Sequence, residues 1–206
     1  MTDLVLVRHG ETVWHAENRY AGVSDVELTP RGHAQAAQLA AWAAGAGLSA
    51  VWASTLSRAR ITAEASAAKS GVALRTDARL RELDFGEGEG LTSAEMTERF
   101  PGARAAFEAD PAGHPLPGGE DPHAAAARFV AALHDIAAAD PGGRVLVVAH
   151  TTAIRLALCR LIGVPLGEYR RLFPRLDNCA LTELRLRDEG GRAALLQYNS
   201  PIGAVR

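Results

Sequence analysis

The sequence predicts an α/β protein, a three-layer α/β/α sandwich around a mostly parallel central sheet. Three observations carry this. Short apolar, branched runs that suit buried strands alternate with longer amphipathic stretches that suit helices. Turn and cap residues punctuate the two kinds of segment. Polar residues stand directly after several of the strand-like runs, where open α/β sheets place their sites. The 206 residues predict one domain, 1–206, with a small helical cap inserted at about 92–120.

The elements follow in chain order. Leu4 to Val7 is the first strand, running straight into Arg8-His9-Gly10-Glu11-Thr12. Thr29 and Pro30 suit the N-cap and first position of a helix reaching about Ala46, where Gly45 and Gly47 end it. Leu48 to Ala53 is the second strand, Ser54 begins a turn, and Leu56 to Lys69 is the second helix. Val72 to Arg75 suits a short third strand. Residues 76–91 show no clear period, and Gly86 to Gly90 reads as a turn. Short helices are expected around 92–100 and 102–109, then a loop from His114 to Asp121 rich in proline and glycine. Pro122 opens a helix to about Ala139. Val145 to Ala149 is the clearest buried strand and runs directly into His150, followed by a helix over about 152–162. Ala180 to Leu186 and Ala193 to Gln197 suit two late strands joined by a turn at Asp188 to Gly191.

Composition narrows the class. The chain is 48% hydrophobic and 22% charged, which excludes whole-chain disorder, collagen-like repeats and a disulfide scaffold. The 22 basic and 24 acidic residues balance to −2, without the basic excess of a general nucleic-acid binder. Lys69 is the only lysine, so nearly all positive charge is arginine, the side chain shaped to grip a phosphate or carboxylate with two hydrogen bonds. Cys159 and Cys179 read as small buried hydrophobes. The first residues lack a basic n-region, and no stretch approaches the ~20 apolar residues of a membrane span. The expectation is a reduced, cytoplasmic protein with no nucleic-acid or membrane partner.

Arg8 and His9, Ser54 to Arg58, and His150 follow three separate strands, so the topology points them at one crevice. Two guanidinium groups, imidazoles and the N-termini of the helices after Leu56 and Thr151 suit a dianion, and phosphate fits best. A neutral imidazole aimed at phosphorus can act as nucleophile, and a carboxylic acid nearby must protonate the leaving group. The charged segment Arg81 to Glu89 offers Glu82, Asp84, Glu87 and Glu89 as candidate acids, with Glu82, close after apolar Leu80, favoured. His33, His114, His123 and His134 show no metal-ligand spacing. Arg170, Arg171 and Arg175 read as a solvated or subunit-contact face, the latter in a homodimer. Met96, Phe100 and Phe107 read as core.

Leu6-Val7-Arg8-His9-Gly10-Glu11-Thr12 resembles the signature of the histidine phosphatase superfamily, the phosphoglycerate mutase-like proteins. Further blocks resemble the same family, in order over about residues 4–160. They are Gly22, Asp25, Leu28-Thr29, Gly32 and Gln35-Ala36; Ser54 to Ala59 with Thr62-Ala63; Leu80, Glu82, Phe85-Gly86 and Glu89-Gly90; Gly119-Glu120 with Arg128; and Val147 to His150. The resemblance implies a phosphoglycerate mutase-like fold and no metal or organic cofactor. It implies that His9 becomes a phosphohistidine, that Arg8, Arg58 and His150 bind the transferring phosphoryl group, and that Glu82 serves as acid and then base.

Three positions depart from the family pattern. His15 stands where the family carries asparagine, and Asn18 is the candidate to make that phosphate contact in its place. Thr151 follows His150 where glycine is usual, and its backbone N–H still suits phosphate binding. Gly88 replaces a large aromatic, which is expected to open the pocket wall near Glu82 or loosen the loop. The reading is a metal-independent phosphomonoesterase, a histidine acid phosphatase-type phosphoric monoester hydrolase, acting on a small phosphorylated metabolite. The block at Glu82 and the short chain favour it over a phosphoglycerate mutase-type isomerase. A non-catalytic phospholigand-binding module is the third reading.

Overall fold

Alternation along two central strands builds the layers. In β1 (Thr2–Arg8), Leu4 and Leu6 point to one face of the sheet and Val5 and Val7 to the other. In β4 (Arg144–Ala149), Val145 and Val147 share the first face and Leu146 and Val148 the second. All eight side chains are buried. Both faces of these strands therefore need helices over them, which is why the runs are apolar throughout.

The computed structural model describes residues 1–186 and 192–203. The remaining elements are α1 (Pro30–Ala43), β2 (Ala50–Ser54), α2 (Ser57–Ser70), β3 (Leu74–Asp77), α3 (Ser93–Arg99), α4 (Pro101–Ala109) and α5 (Pro122–Ala139). After β4 come α6 (Thr151–Ile162), α7 (Tyr169–Leu172), β5 (Leu181–Leu186) and β6 (Ala194–Ser200). Leu39 and Ala43 of α1, with Ala59, Ala63 and Ala67 of α2, cover the valine face of β1. Phe129, Leu133 and Ile136 of α5, with Ile154, Leu156 and Leu158 of α6, cover the leucine face. Three layers result, as the sequence predicts.

The six strands lie in the order β3-β2-β4-β1-β5-β6. The first four are mutually parallel, while β5 pairs with β1, and β6 with β5, in antiparallel register. The expected turn at Asp188 to Gly191 lies outside the described residues. Arg8 stands opposite Ala149 in the register, so His9 and His150 leave the sheet side by side.

Boundaries follow local chemistry. Thr29 caps α1 by accepting from the Gly32 N–H at 3.0 Å, with Pro30 at its first position. That helix stops at Ala43, short of the expected Ala46, and a turn follows to Gly47. Gly10 has no room for a side chain, because a Cβ there would lie 2.5 Å from the Gly32 carbonyl oxygen. This close approach locks the end of β1 against the start of α1. Met96 and Phe107 are buried in the same cluster as the leucine face of the sheet, so they pack, as expected.

Gly88 corrects an expectation. It is buried, and a Cβ on it would meet Leu116 Cδ1 at 2.6 Å and Met96 at 3.5 Å. The volume a large aromatic would take is filled by Leu116 and Met96, so Gly88 opens no wall. Cys159 and Cys179 are free and buried. Among the described residues no helix is long and apolar enough to cross a membrane.

Candidate active site

The carboxyl ends of β1 and β4 open into a cavity of about 330 Å³. His9, at the end of β1, is 5% exposed. Its Nδ1 lies 2.7 Å from the Gly10 carbonyl, which can only accept, so Nδ1 carries the proton. The lone pair is left on Nε2, where Arg58 Nε donates to it at 3.2 Å. Burial first, then the charges of Arg58 and Arg8, hold the His9 pKa well below its ordinary value. The ring is therefore neutral at pH 7 and tautomerically fixed, as a nucleophile requires.

His150 is fully buried, with its ring centroid 5.2 Å from that of His9. Neither of its ring nitrogens has a protein partner. Burial, followed by Arg58 and His9, lowers its pKa strongly. The strand β4 delivers His150 to this point and α6 begins at the next residue, Thr151, which lines the cavity.

The two arginines are held differently. Arg8 donates from Nη1 to the Leu176 carbonyl at 2.8 Å and its Nη2 lies 2.5 Å from His15 Nε2, while its Nε is buried without a partner. Burial pushes its pKa down to about 10, with Glu82 opposing and Arg155 and Arg58 reinforcing the fall. Arg58 is fully buried on α2. Its Nη1 reaches the Ser24 carbonyl at 2.7 Å and its Nη2 the carbonyls of Gly22 at 2.6 Å and Ala21 at 3.2 Å. The Arg58 fork thus grips the 21–24 loop, and its Nε meets the site.

Glu82 is 4% exposed. Its Oε2 accepts from the Thr152 N–H at 2.9 Å, and its Oε1 from Ala153 at 2.7 Å and Leu83 at 2.9 Å. The N–H groups of Thr152 and Ala153 at the start of α6 therefore serve Glu82 and are not an open phosphate cradle. Burial raises the Glu82 pKa against the pull of these three bonds and of Arg58. A clamp fixes its backbone: Arg128 pairs with Glu120 at 2.7 and 2.8 Å and donates to the carbonyls of Arg79, Arg81 and Glu82. The sequence pairs Glu120 with Arg128 only as a motif; the fold shows what the pair holds.

His15 is the residue that touches Arg8. Its Nε2 lies 2.5 Å from Arg8 Nη2, and its Nδ1 accepts from the Thr12 N–H at 3.0 Å and lies 2.8 Å from Thr12 Oγ1. Burial and Arg8 bring its pKa to about 4. Asn18, with φ of 53°, is exposed and lies on the cavity rim. Arg170 corrects an expectation: it lines the cavity, while Arg171 and Arg175 are exposed. It stands on α7, which packs beside α6 on the same face of the sheet, and sequence spacing does not reveal this. Arg155 also lines the cavity and was not foreseen, although it lies four residues after Thr151 on the same helix. Among the described residues no group of three or more histidine, cysteine or acidic side chains is arranged to hold a metal.

This constellation of a locked imidazole, a second unpartnered imidazole, two arginines and a buried carboxyl suits phosphoryl transfer through a covalent histidine. Comparison with known proteins bears on it directly. The family model described as the histidine phosphatase superfamily (branch 1) matches residues 4–199. The "Probable phosphoglycerate mutase GpmB" of Salmonella paratyphi B is 36% identical over 184 residues, covering 89% of this chain and 85% of that protein. The native structure of a mycobacterial glucosyl-3-phosphoglycerate phosphatase is 30% identical, with a TM-score of 0.87 over 97% of this chain and 99% of that one. The alpha-ribazole phosphatase of Shigella flexneri is 25% identical, with a TM-score of 0.85 over 99% and 100%. The expected histidine acid phosphatase type is corrected by the match, because the histidine acid phosphatases are a different family from the one found.

Proposed function

Since the chain belongs to the histidine phosphatase superfamily (branch 1), we propose that it is a metal-independent phosphomonoesterase that acts through a phosphohistidine on a small phosphorylated metabolite. The observation that carries this reading is the locked tautomer of His9, which leaves Nε2 unprotonated on a side chain lining the same cavity as Glu82 and Arg8.

In the first step His9 Nε2 attacks phosphorus and the bond from phosphorus to the ester oxygen breaks. The leaving alkoxide takes the proton of Glu82. Arg8 and His150 hold the phosphoryl oxygens, with Asn18 and Thr151 at the rim. Arg58 Nε, which donates to His9 Nε2 at 3.2 Å, gives up that hydrogen bond to a phosphoryl oxygen as the substrate binds, which frees the lone pair for attack. In the second step the Glu82 carboxylate takes a proton from water, the hydroxide attacks phosphorus, and the N–P bond breaks. Phosphate leaves and both side chains return to their starting states. No metal or organic cofactor enters either step. Residues 92–120, with Ser93 at the cavity, act as the cap of the single domain.

The test is free-phosphate release across a panel of phosphorylated metabolites, with and without EDTA. His9→Ala is expected to abolish turnover and EDTA to leave it unchanged. Activity retained in His9→Ala would sink the mechanism. The mutase name of the 36% identical relative favours a second reading, an isomerase that returns the phosphoryl group to another hydroxyl. Rapid exchange of 2- and 3-phosphoglycerate with little free phosphate would select that reading.

A further inference from the structure

Beyond the phosphoryl site, the cavity holds positive charge that a single phosphoryl group does not use. Arg155 of α6 and Arg170 of α7 both line it, alongside Tyr20 and Ser93. Arg155 Nε is buried and has no hydrogen-bond partner. Its side chain is otherwise hydrogen-bonded to Tyr198. Arg170 donates from Nη2 to the Tyr20 hydroxyl at 2.9 Å and lies 5.2 Å above the Phe107 ring. Among the described residues neither Arg155 nor Arg170 is paired with a carboxylate, whereas Arg19 and Arg104 beside them are paired with Glu95 and Glu108.

The neighbourhood registers this excess. Tyr20 accepts from both Arg170 and Arg104, and their charges bring the phenol below its ordinary pKa although burial pushes the other way. Arg155 is close enough to Arg8 to help lower the pKa of that guanidinium. An unpartnered buried guanidinium nitrogen is costly unless a ligand satisfies it. An anionic oxygen would meet that nitrogen and relieve the repulsion between Arg8 and Arg155.

We infer that Arg155 and Arg170, with the hydroxyls of Tyr20 and Ser93, form a second anion subsite, so the substrate is a phosphate monoester bearing another anionic group, carboxylate or phosphate, away from the scissile bond. This rests on the proposed phosphatase reading of the same cavity. The guanidinium fork of Arg155 grips the second group, Arg170 neutralises it, and the two hydroxyls orient it. The scissile phosphoryl is thereby set against His9.

Three probes test it: glycerol 3-phosphate, 3-phosphoglycerate and propane-1,3-diol bisphosphate, which end in a neutral, a carboxylate and a phosphate group. The wild-type kcat/KM is expected to favour at least one doubly anionic probe by about tenfold, the low end for a charge-assisted hydrogen bond. Which probe gains identifies the second group. Arg155→Gln and Arg170→Gln should each collapse the ratio to near one, mainly through KM, and Arg155→Lys should restore part of it. A ratio near one in wild type, or one unmoved in both glutamine variants, overturns the subsite. Calorimetric binding of the same probes to the His9→Ala protein gives a readout without turnover. Tighter binding of a doubly anionic probe, lost on adding Arg155→Gln, supports the subsite, and equal affinities overturn it. Absence of phosphate release by wild type counts against the phosphatase reading alone.

Discussion

Proton placement at single side chains decides how the site works. Nδ1 of His9 is spent on the Gly10 carbonyl, so only Nε2 can attack. Glu82 is held between burial, which favours its neutral form, and three N–H groups, which favour its carboxylate, and burial prevails. An acid with a raised pKa keeps its proton to higher pH, so the basic limb of the pH–rate profile should belong to Glu82 and lie above the ordinary carboxyl range. Glu82→Gln should lower kcat/KM, which reports the first step and not hydrolysis of the phosphohistidine, about 10²–10⁴-fold for alkyl phosphates. It should cost much less for p-nitrophenyl phosphate, whose leaving group needs no proton; equal losses would remove Glu82 as the acid. His15 has a stability signature. Its pKa falls from 6.5 to about 4 on folding, so the unfolded chain binds the extra proton between those values. Stability from this residue is therefore present above about pH 6.5 and lost as pH falls toward 4. Urea unfolding at pH 7 and pH 4.5 should show a smaller acid loss in His15→Asn than in wild type.

At the scale of elements, strand ends and helix starts do the positioning. The sheet delivers His9 and His150 from neighbouring parallel strands, and α6 starts immediately after His150 with Glu82 across its first N–H groups. The acid loop is braced by Arg128, whose guanidinium gathers three carbonyls from 79–82 and the Glu120 carboxylate. Glu89 ties the same loop to Val23 and Ser24, and Arg58 holds the 21–24 loop from beneath. The loop around Gly88 fits tightly under Leu116, so Gly88→Ala should destabilise the fold by about 1–3 kcal/mol as an overpacked substitution. Equilibrium denaturation checks this. An unchanged midpoint would mean that Leu116 swings away freely and the wall is looser than its packing implies.

The central strands of the sheet are sealed on both faces, and the candidate site lies at the carboxyl ends of the parallel strands β1 and β4. The clusters over the two faces are separate, and β1 contributes alternate residues to each. Leu6 is fully buried on the α5 and α6 side, opposite Val147 in the register. Leu6→Ala should cost about 2–5 kcal/mol, the range for a large-to-small core change, measured by urea unfolding. A cost under about 1 kcal/mol would mean that the layer collapses to fill the space. The same layering brings α7 and the α6 face against the cavity, and so places Arg155 and Arg170 there.

The sequence by itself determined the strand runs, the helix caps and the polar residues at strand ends. These signals are local: side-chain period, a threonine before a proline, a histidine where an apolar run stops. They sufficed for the α/β class and for pointing Arg8, His9, Arg58 and His150 at one crevice, whereas Glu82 stood among the acidic residues Asp84, Glu87 and Glu89 until the family resemblance singled it out. Only the tertiary structure decided which way each side chain spends its hydrogen bonds. It turned the Arg58 fork toward the 21–24 loop, gave the first N–H groups of α6 to Glu82, put His15 on Arg8, and filled the space above Gly88. It also carried Arg170 into the cavity from a segment more than 150 residues from His9 in sequence. Such contacts arise where distant segments pack, and burial there sets both the partners and the pKa values. No spacing along the chain encodes them.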